Sequence, residues 1–165
     1  MAWAKNGTPD TLSGTSDTIT ISDLTSTKFN QNIANIIGSG SVRNYLRMGN
    51  SSIDTGSNYA SRYIDNGSGA DNTSTSQTEL QTGTSFTTYT ATLDVYYIIN
   101  ISTEEKLVIG HTVHQRTAGA TTAPDRIEWV GKWDNTSNQY DQFQHYNNNT
   151  GDFASGSNFS ALGTD

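Results

Sequence analysis

The chain has 165 residues, a formal net charge of -7, nine Lys plus Arg and no cysteine. This rules out a disulfide framework and a thiolate metal site, and leaves no basic stripe to neutralise a nucleic-acid backbone. Charged residues make up only 15% and apolar ones 32%, yet 10% are aromatic, which points to one folded, loop-rich domain rather than a disordered chain.

Residues 1–17 carry turn chemistry at Asn6-Gly7, Pro9-Asp10 and Ser13-Gly14, so they read as an N-terminal arm or short edge strand anchored by Trp3. The opening residues are too polar for a signal-peptide core, and no run approaches the roughly 18 apolar residues of a membrane span. The expectation is a protein that starts in the cytosol, with no membrane insertion. Residues 18–165 form the single sandwich domain. Thr18-Ile19-Thr20-Ile21-Ser22 alternates with the period of a strand. Over residues 28–37, Phe29, Ile33, Ile36 and Ile37 fit helical spacing, but the surrounding pattern favours a strand. From Val42 to Met48, Val42, Leu46 and Met48 share one face, and Arg43 and Arg47 share the other with Tyr45.

Asp54 to Asn58 is a turn, and the next strand presents Tyr59, Ser61 and Tyr63 on one face. Asp65 to Gln77 reads as a long polar loop, either a binding surface or a solvated linker. Its Asp65, Asn66, Asp71 and Asn72 could offer oxygens to calcium, but they lack EF-hand spacing, and turn chemistry accounts for them.

The longest period-two pattern runs from Tyr89 to Val113. Tyr89, Ala91, Leu93, Val95, Tyr97, Ile99 and Ile101 occupy the odd positions, and Thr90, Thr92 and Asp94 open the even ones. Thr103-Glu104-Glu105 then turns into the β-branched run Lys106 to Val113. The reading is a long antiparallel hairpin whose apolar odd face is covered by a second layer. Gln115 to Pro124 reads as a projecting loop. Ile127, Trp129 and Trp133 then face one way, with Arg126, Glu128 and Lys132 opposite. Further strands are expected at Tyr140 to Tyr146 and Ser157 to Leu162. Turns at this spacing, with almost no helical pattern, predict an all-β fold: an antiparallel β-sandwich of jelly-roll type.

Catalytic chemistry finds no support. Glu104 and Glu105 sit on a turn tip, and Glu128 belongs to a charge ladder with Arg126 and Lys132. His111 and His114 are three residues apart, so they point to opposite faces of a strand and cannot jointly chelate a metal without a bulge. No serine has a nucleophile-elbow setting. No cofactor or metal is assigned. Exposed aromatics could stack on sugar rings, although a buried or interfacial role is the better reading for Tyr140, Tyr146 and Trp133. The residues put forward for glycan or partner contact are Asn66, Asn72, Gln115, Arg116, Tyr140 and Tyr146.

Three polar stretches carry a resemblance. Gly131-Lys132-Trp133-Asp134-Asn135-Thr136-Ser137, Asn147 to Ser157 with the ending Leu162-Gly163-Thr164-Asp165, and Asp54 to Tyr63 resemble a pattern in structural proteins of tailed viruses, especially from marine samples. The resemblance implies a sandwich fold and a place on the virion surface, and it transfers no catalytic residues. Expected partners are further copies of the chain, with a trimer as one form, and other virion proteins. The alternative is a lectin-like module of a tail fibre that binds host-surface glycans.

Overall fold

A computed structural model describes residues 2–69, 71–83, 85–86 and 90–165. It is an all-β antiparallel sandwich. Among the described residues the strands are β1 (Ala4–Lys5), β2 (Asp10–Thr11), β3 (Thr18–Ile21), β4 (Phe29–Ile37), β5 (Asn44–Gly49), β6 (Tyr59–Asp65) and β7 (Asn72–Gln77). They continue with β8 (Leu80–Gln81), β9 (Ala91–Ile99), β10 (Lys106–His114), β11 (Asp125–Trp133), β12 (Gln142–Asn147) and β13 (Asn158–Thr164). The large sheet has the order β1-β13-β4-β9-β10-β11-β6-β7, with β2 also pairing β13, and the small sheet has the order β3-β12-β5-β8. The chain alternates between them: β3 small, β4 large, β5 small, β6 and β7 large, β8 small, β9 to β11 large, β12 small, β13 large.

Aromatic rings fill the space between the layers. Tyr96 of β9 stacks on Phe143 of β12 at 5.4 Å between centroids, and Trp129 of β11 lies 5.7 Å from Tyr96. His145 of β12 meets Phe159 of β13 edge-on at 4.8 Å. Such ring pairs add about 0.5–1.5 kcal/mol each to the burial of their area. On β11, Ile127, Trp129 and Trp133 face the core as their spacing predicts. On β5, Leu46 and Met48 are fully buried, while outside them Arg43 lies over the Tyr45 ring at 5.3 Å and Arg47 over the Tyr146 ring at 3.7 Å. The shared arginine and aromatic face is thus a pair of cation–π contacts.

The predicted hairpin is present, with β9 and β10 paired from Val108↔Ile98 to His114↔Thr92. Its predicted start at Tyr89 lies outside the described residues. The facing of β9 is the reverse of expectation: Thr92, Asp94, Tyr96 and Ile98 are buried against the small sheet, whereas Leu93 and Tyr97 point outward. In β4, likewise, Asn30, Asn32, Ala34 and Ile36 face inward and Ile33 outward. Parity tells which residues share a face but not which face meets the second layer, and here hydrogen-bonded polar side chains take much of the inward one.

Asn32 is the exception. It is fully buried, and neither its amide nitrogen nor its oxygen has a hydrogen-bond partner. Replacing it with an apolar residue of strand propensity removes an uncompensated desolvation cost. Asn32→Val is expected to stabilise the fold by about 1–2 kcal/mol, read as a higher urea midpoint with an unchanged slope.

Two further expectations are corrected. The arm is held by Asn6, which is 3% exposed, and not by Trp3, which is 45% exposed. The Asn6 amide donates to Asn30 Oδ1 at 2.7 Å and Thr25 O at 3.1 Å and accepts from Thr25 N at 2.7 Å, while β1 and β2 pair with β13. The expected loop over Asp65 to Gln77 contains an edge strand, β7, antiparallel to β6. Its sequence Asn-Thr-Ser-Thr-Ser-Gln is exposed or half-buried throughout, so no alternation marks it. The chain turns into it through Asn66 and Gly67, both at positive φ (51 and 69), with Ser68 N–H donating to Asp65 O at 2.8 Å. Positive φ at two successive residues is what an Asn-Gly pair supplies most readily.

Candidate functional site

The outward face of the large sheet is built from the odd positions of β4, β9 and β10 and the even ones of β11. Cross-strand register sets Tyr97 beside Ile109 and Ile109 beside Val130, Leu93 beside Val113, and Ile33 beside Val95. Ile33, Leu93, Tyr97, Leu107, Ile109, Val113 and Val130 are each between 39% and 54% exposed. Seven large apolar side chains half-exposed on four adjacent strands, interrupted by His111, are more than the scattered single hydrophobics usual on a soluble monomer. Shallow hollows of about 310, 180 and 490 Å³ cross it, bounded by Trp3, Phe29 and Tyr97, by Tyr97, Leu107 and Ile109, and by Leu107, Val130 and Arg62.

Charges stand mainly along the β6 and β11 side of this face, and they are already paired. Arg62 meets Asp71 at 2.7 Å, Lys132 meets Glu105 at 2.9 Å, and Arg126 lies 3.9 Å from Glu128. The exposed His111 sits between Val95 and Glu128 in register, whereas His114 turns to the other side and meets Thr90 Oγ1 at 2.9 Å. The two histidines therefore point apart, as their spacing requires.

The six residues put forward for contact do not form one surface. Asn66 and Arg116 come together at Asp125, the Asn66 amide and Arg116 Nη1 both reaching Asp125 Oδ1, at 2.8 and 3.2 Å, whereas Gln115 turns to β9, its N–H bonding Ala91 O at 3.0 Å. Asn72 opens the exposed edge strand β7. Tyr146 lies on the outer side of the small sheet beneath Arg47. Tyr140 is 1% exposed and packs edge-on against Phe143 at 5.9 Å, so its ring is closed to a sugar. Trp133, also 1% exposed, is likewise a core residue.

Two of the polar stretches noted in the sequence meet in space. Asp54 Oδ2 accepts from Trp133 Nε1 at 2.7 Å and Asn58 Nδ2 at 2.8 Å, and Oδ1 accepts from Gly56 N–H at 2.8 Å. These donors hold the Asp54 carboxyl below its ordinary range against the opposing effect of burial. Tyr59 stacks on Trp133 at 6.4 Å, and its hydroxyl bonds both the N–H and the carbonyl of Met48. Both stretches thus serve the packing of β6 on β11.

A polar chain that the sequence reading missed crosses the core. Tyr96 Oη lies 2.5 Å from His145 Nε2, His145 Nδ1 lies 2.9 Å from Asn44 Oδ1, and Asn44 Nδ2 donates to Asp94 Oδ2 at 2.7 Å. Thr112 Oγ1 completes it, donating to Asp94 Oδ1 at 2.5 Å. Asn44 gives its amide protons to Asp94, so its oxygen accepts from Nδ1–H, and Nε2 is left to accept from tyrosine. Burial pushes Asp94 up to about 6 and His145 down to about 3. The adjoining cavity, lined by Asn44, Thr82, Thr112 and His114, holds about 10 Å³, which barely admits one water. The network joins the two sheets and has no room for a substrate. Among the described residues no group of three or more His, Asp or Glu side chains is gathered to hold a metal.

No family model, curated protein or solved structure matches this chain.

Proposed function

We propose that the chain is a non-enzymatic virion structural protein, a jelly-roll subunit that self-associates on the particle as capsid decoration or as part of a surface fibre. The observation that carries this reading is the unpartnered apolar face of the large sheet. A strand covered on one side only alternates, whereas Tyr96-Tyr97-Ile98-Ile99 and Leu107-Val108-Ile109 are continuous apolar runs, the pattern of strands covered on both sides. The sandwich covers one side, and a neighbouring subunit covers the other.

The strand order supports the winding. β3-β12-β5-β8 facing β4, β9–β11, β6 and β7 is the order of an eight-strand jelly roll in which the β9-β10-β11 meander replaces one strand. That architecture serves both viral capsid proteins and lectins, and the resemblance to tailed-virus structural proteins favours the former. A net charge of -7 keeps such a subunit from adhering to a packaged genome.

Light scattering on the purified protein across micromolar concentrations tests the reading, and a defined oligomer is expected. A monomer at every concentration would overturn it. The second reading, a glycan-binding tail-fibre module, has in its favour a polar hollow of about 370 Å³ lined by Asn50, Ser52, Thr55, Asn135 and Asn138. Saturable binding on a glycan array by a monomeric protein would establish that alternative.

A further inference from the structure

We infer that the outward face of the large sheet is closed by the same face of a second copy, sheet against sheet about a two-fold axis. This rests on the self-association reading and names the surface and the symmetry through which it works.

Three observations select a second copy over other occupants. The first is extent: seven apolar side chains, each between 39% and 54% exposed, spread over four adjacent strands, on a face large enough to supply the ~800 Å² per partner that a stable complex buries. The second is charge. Tyr97 and Ile109 have no charged cross-strand neighbour, and the cations along the Val130 side, Arg62, Lys132 and Arg126, are paired within the chain with Asp71, Glu105 and Glu128. Two such faces can meet without like-charge repulsion, despite the overall charge of -7. Among the described residues, the cations beside this face, Arg62, Arg126 and Lys132, each already face a carboxylate that an acidic ligand or an anionic membrane surface would have to displace. The composition, aliphatic at the centre with charge only at the side, is that of homodimer interfaces.

The third is shape. An open sheet face with side chains at regular spacing packs well on another sheet, the two layers standing about 10 Å apart. Across a two-fold axis each residue near the centre lies close to its own mate. Ile109, the most exposed of the seven at 54% and flanked by Tyr97 and Val130, is the residue nearest to that condition.

The test uses two variants of the full chain in sedimentation velocity. Ile109→Glu places a charge where only solvent stands in the single subunit, so folding should be retained, as checked by circular dichroism; Val130→Lys on the neighbouring strand serves as a second such variant. Either should weaken association at least tenfold. Ile109→Cys supplies the only thiol in a chain without cysteine. A short bis-maleimide spans facing sheets about 10 Å apart, and it should give cross-linked dimers without a ladder of higher species. An oligomer that keeps its mass and affinity with both charged variants would overturn the proposed face while leaving self-association standing. A wild-type protein that is monomeric throughout would overturn both.

Discussion

Asp94→Asn should raise stability at pH 8 by about 3 kcal/mol, and this advantage should shrink to nothing by about pH 4. The folded protein lifts the Asp94 carboxyl from 3.8 to about 6 because burial penalises its charge more than the bonds from Thr112 and Asn44 offset. A group raised in the folded state contributes most below its unfolded value, and the contribution is lost as pH rises through the folded one. For Asp94 that loss falls between pH 3.8 and about 6. His145 works against it. Lowered from 6.5 to about 3, it contributes fully above pH 6.5 and loses that contribution as pH falls towards 3. The two slopes oppose each other, so wild-type stability should vary little across this window from these two groups, and removing the Asp94 titration should expose the His145 slope.

Asparagine is the informative replacement because it copies the protonated acid. Its oxygen can accept from Asn44 Nδ2 and its amide can donate to Thr112 Oγ1, so the chain from Tyr96 to Thr112 stays closed. Asp94→Ala leaves both neighbours unpaired in the core. At pH 4.5, where the wild-type acid is largely neutral, it should cost about 2–4 kcal/mol. Urea denaturation of the three proteins between pH 4 and 8 provides the comparison. A constant difference between wild type and Asp94→Asn would mean that the carboxyl does not titrate in the folded state as argued.

Asp94 also marks where the sequence stops being readable. Period two along β9 separated Leu93 and Tyr97 from Thr92 and Asp94 correctly, and the same rule placed Ile127, Trp129 and Trp133 together. Neither inference contains the identity of the covering layer. The more apolar side of β9 faces out because Asp94 and Tyr96 find partners on β5 and β12, and strands about 50 residues apart in sequence carry no local signal of that. A signal was nevertheless present in Tyr96-Tyr97-Ile98-Ile99, where alternation gives way to a run. β7 was hidden for the opposite reason: with both faces near solvent, its Thr and Ser look like a loop, and only the Asn66-Gly67 turn announced a hairpin. Of the contact residues, polarity found the group around Asp125 but could not reveal that the Tyr140 side chain is buried. The apolar outer face was visible as residues and was misread as core.

Gly110→Ala should be among the most damaging single substitutions in the large sheet, costing about 3 kcal/mol. Gly110 faces the core directly across from Trp129, and a Cβ there would lie 2.3 Å from two atoms of the indole ring. Trp129 is 2% exposed and held against Tyr96, so the ring cannot move aside without disturbing the aromatic layer between the sheets. Trp129→Leu alone should cost a similar amount through lost burial and a cavity. Together the two changes should cost less than their sum by about 1–3 kcal/mol, since the methyl enters space the indole has vacated. Strict additivity in urea titrations would show that the ring does not occupy the place over Gly110. The same cycle reaches the outer face. Gly110 lies between Ile109 and His111, and a backbone displaced by the methyl would shift Ile109 relative to Tyr97 and Val130. Gly110→Ala should therefore weaken self-association as well as folding, and Trp129→Leu in the same chain should restore part of both.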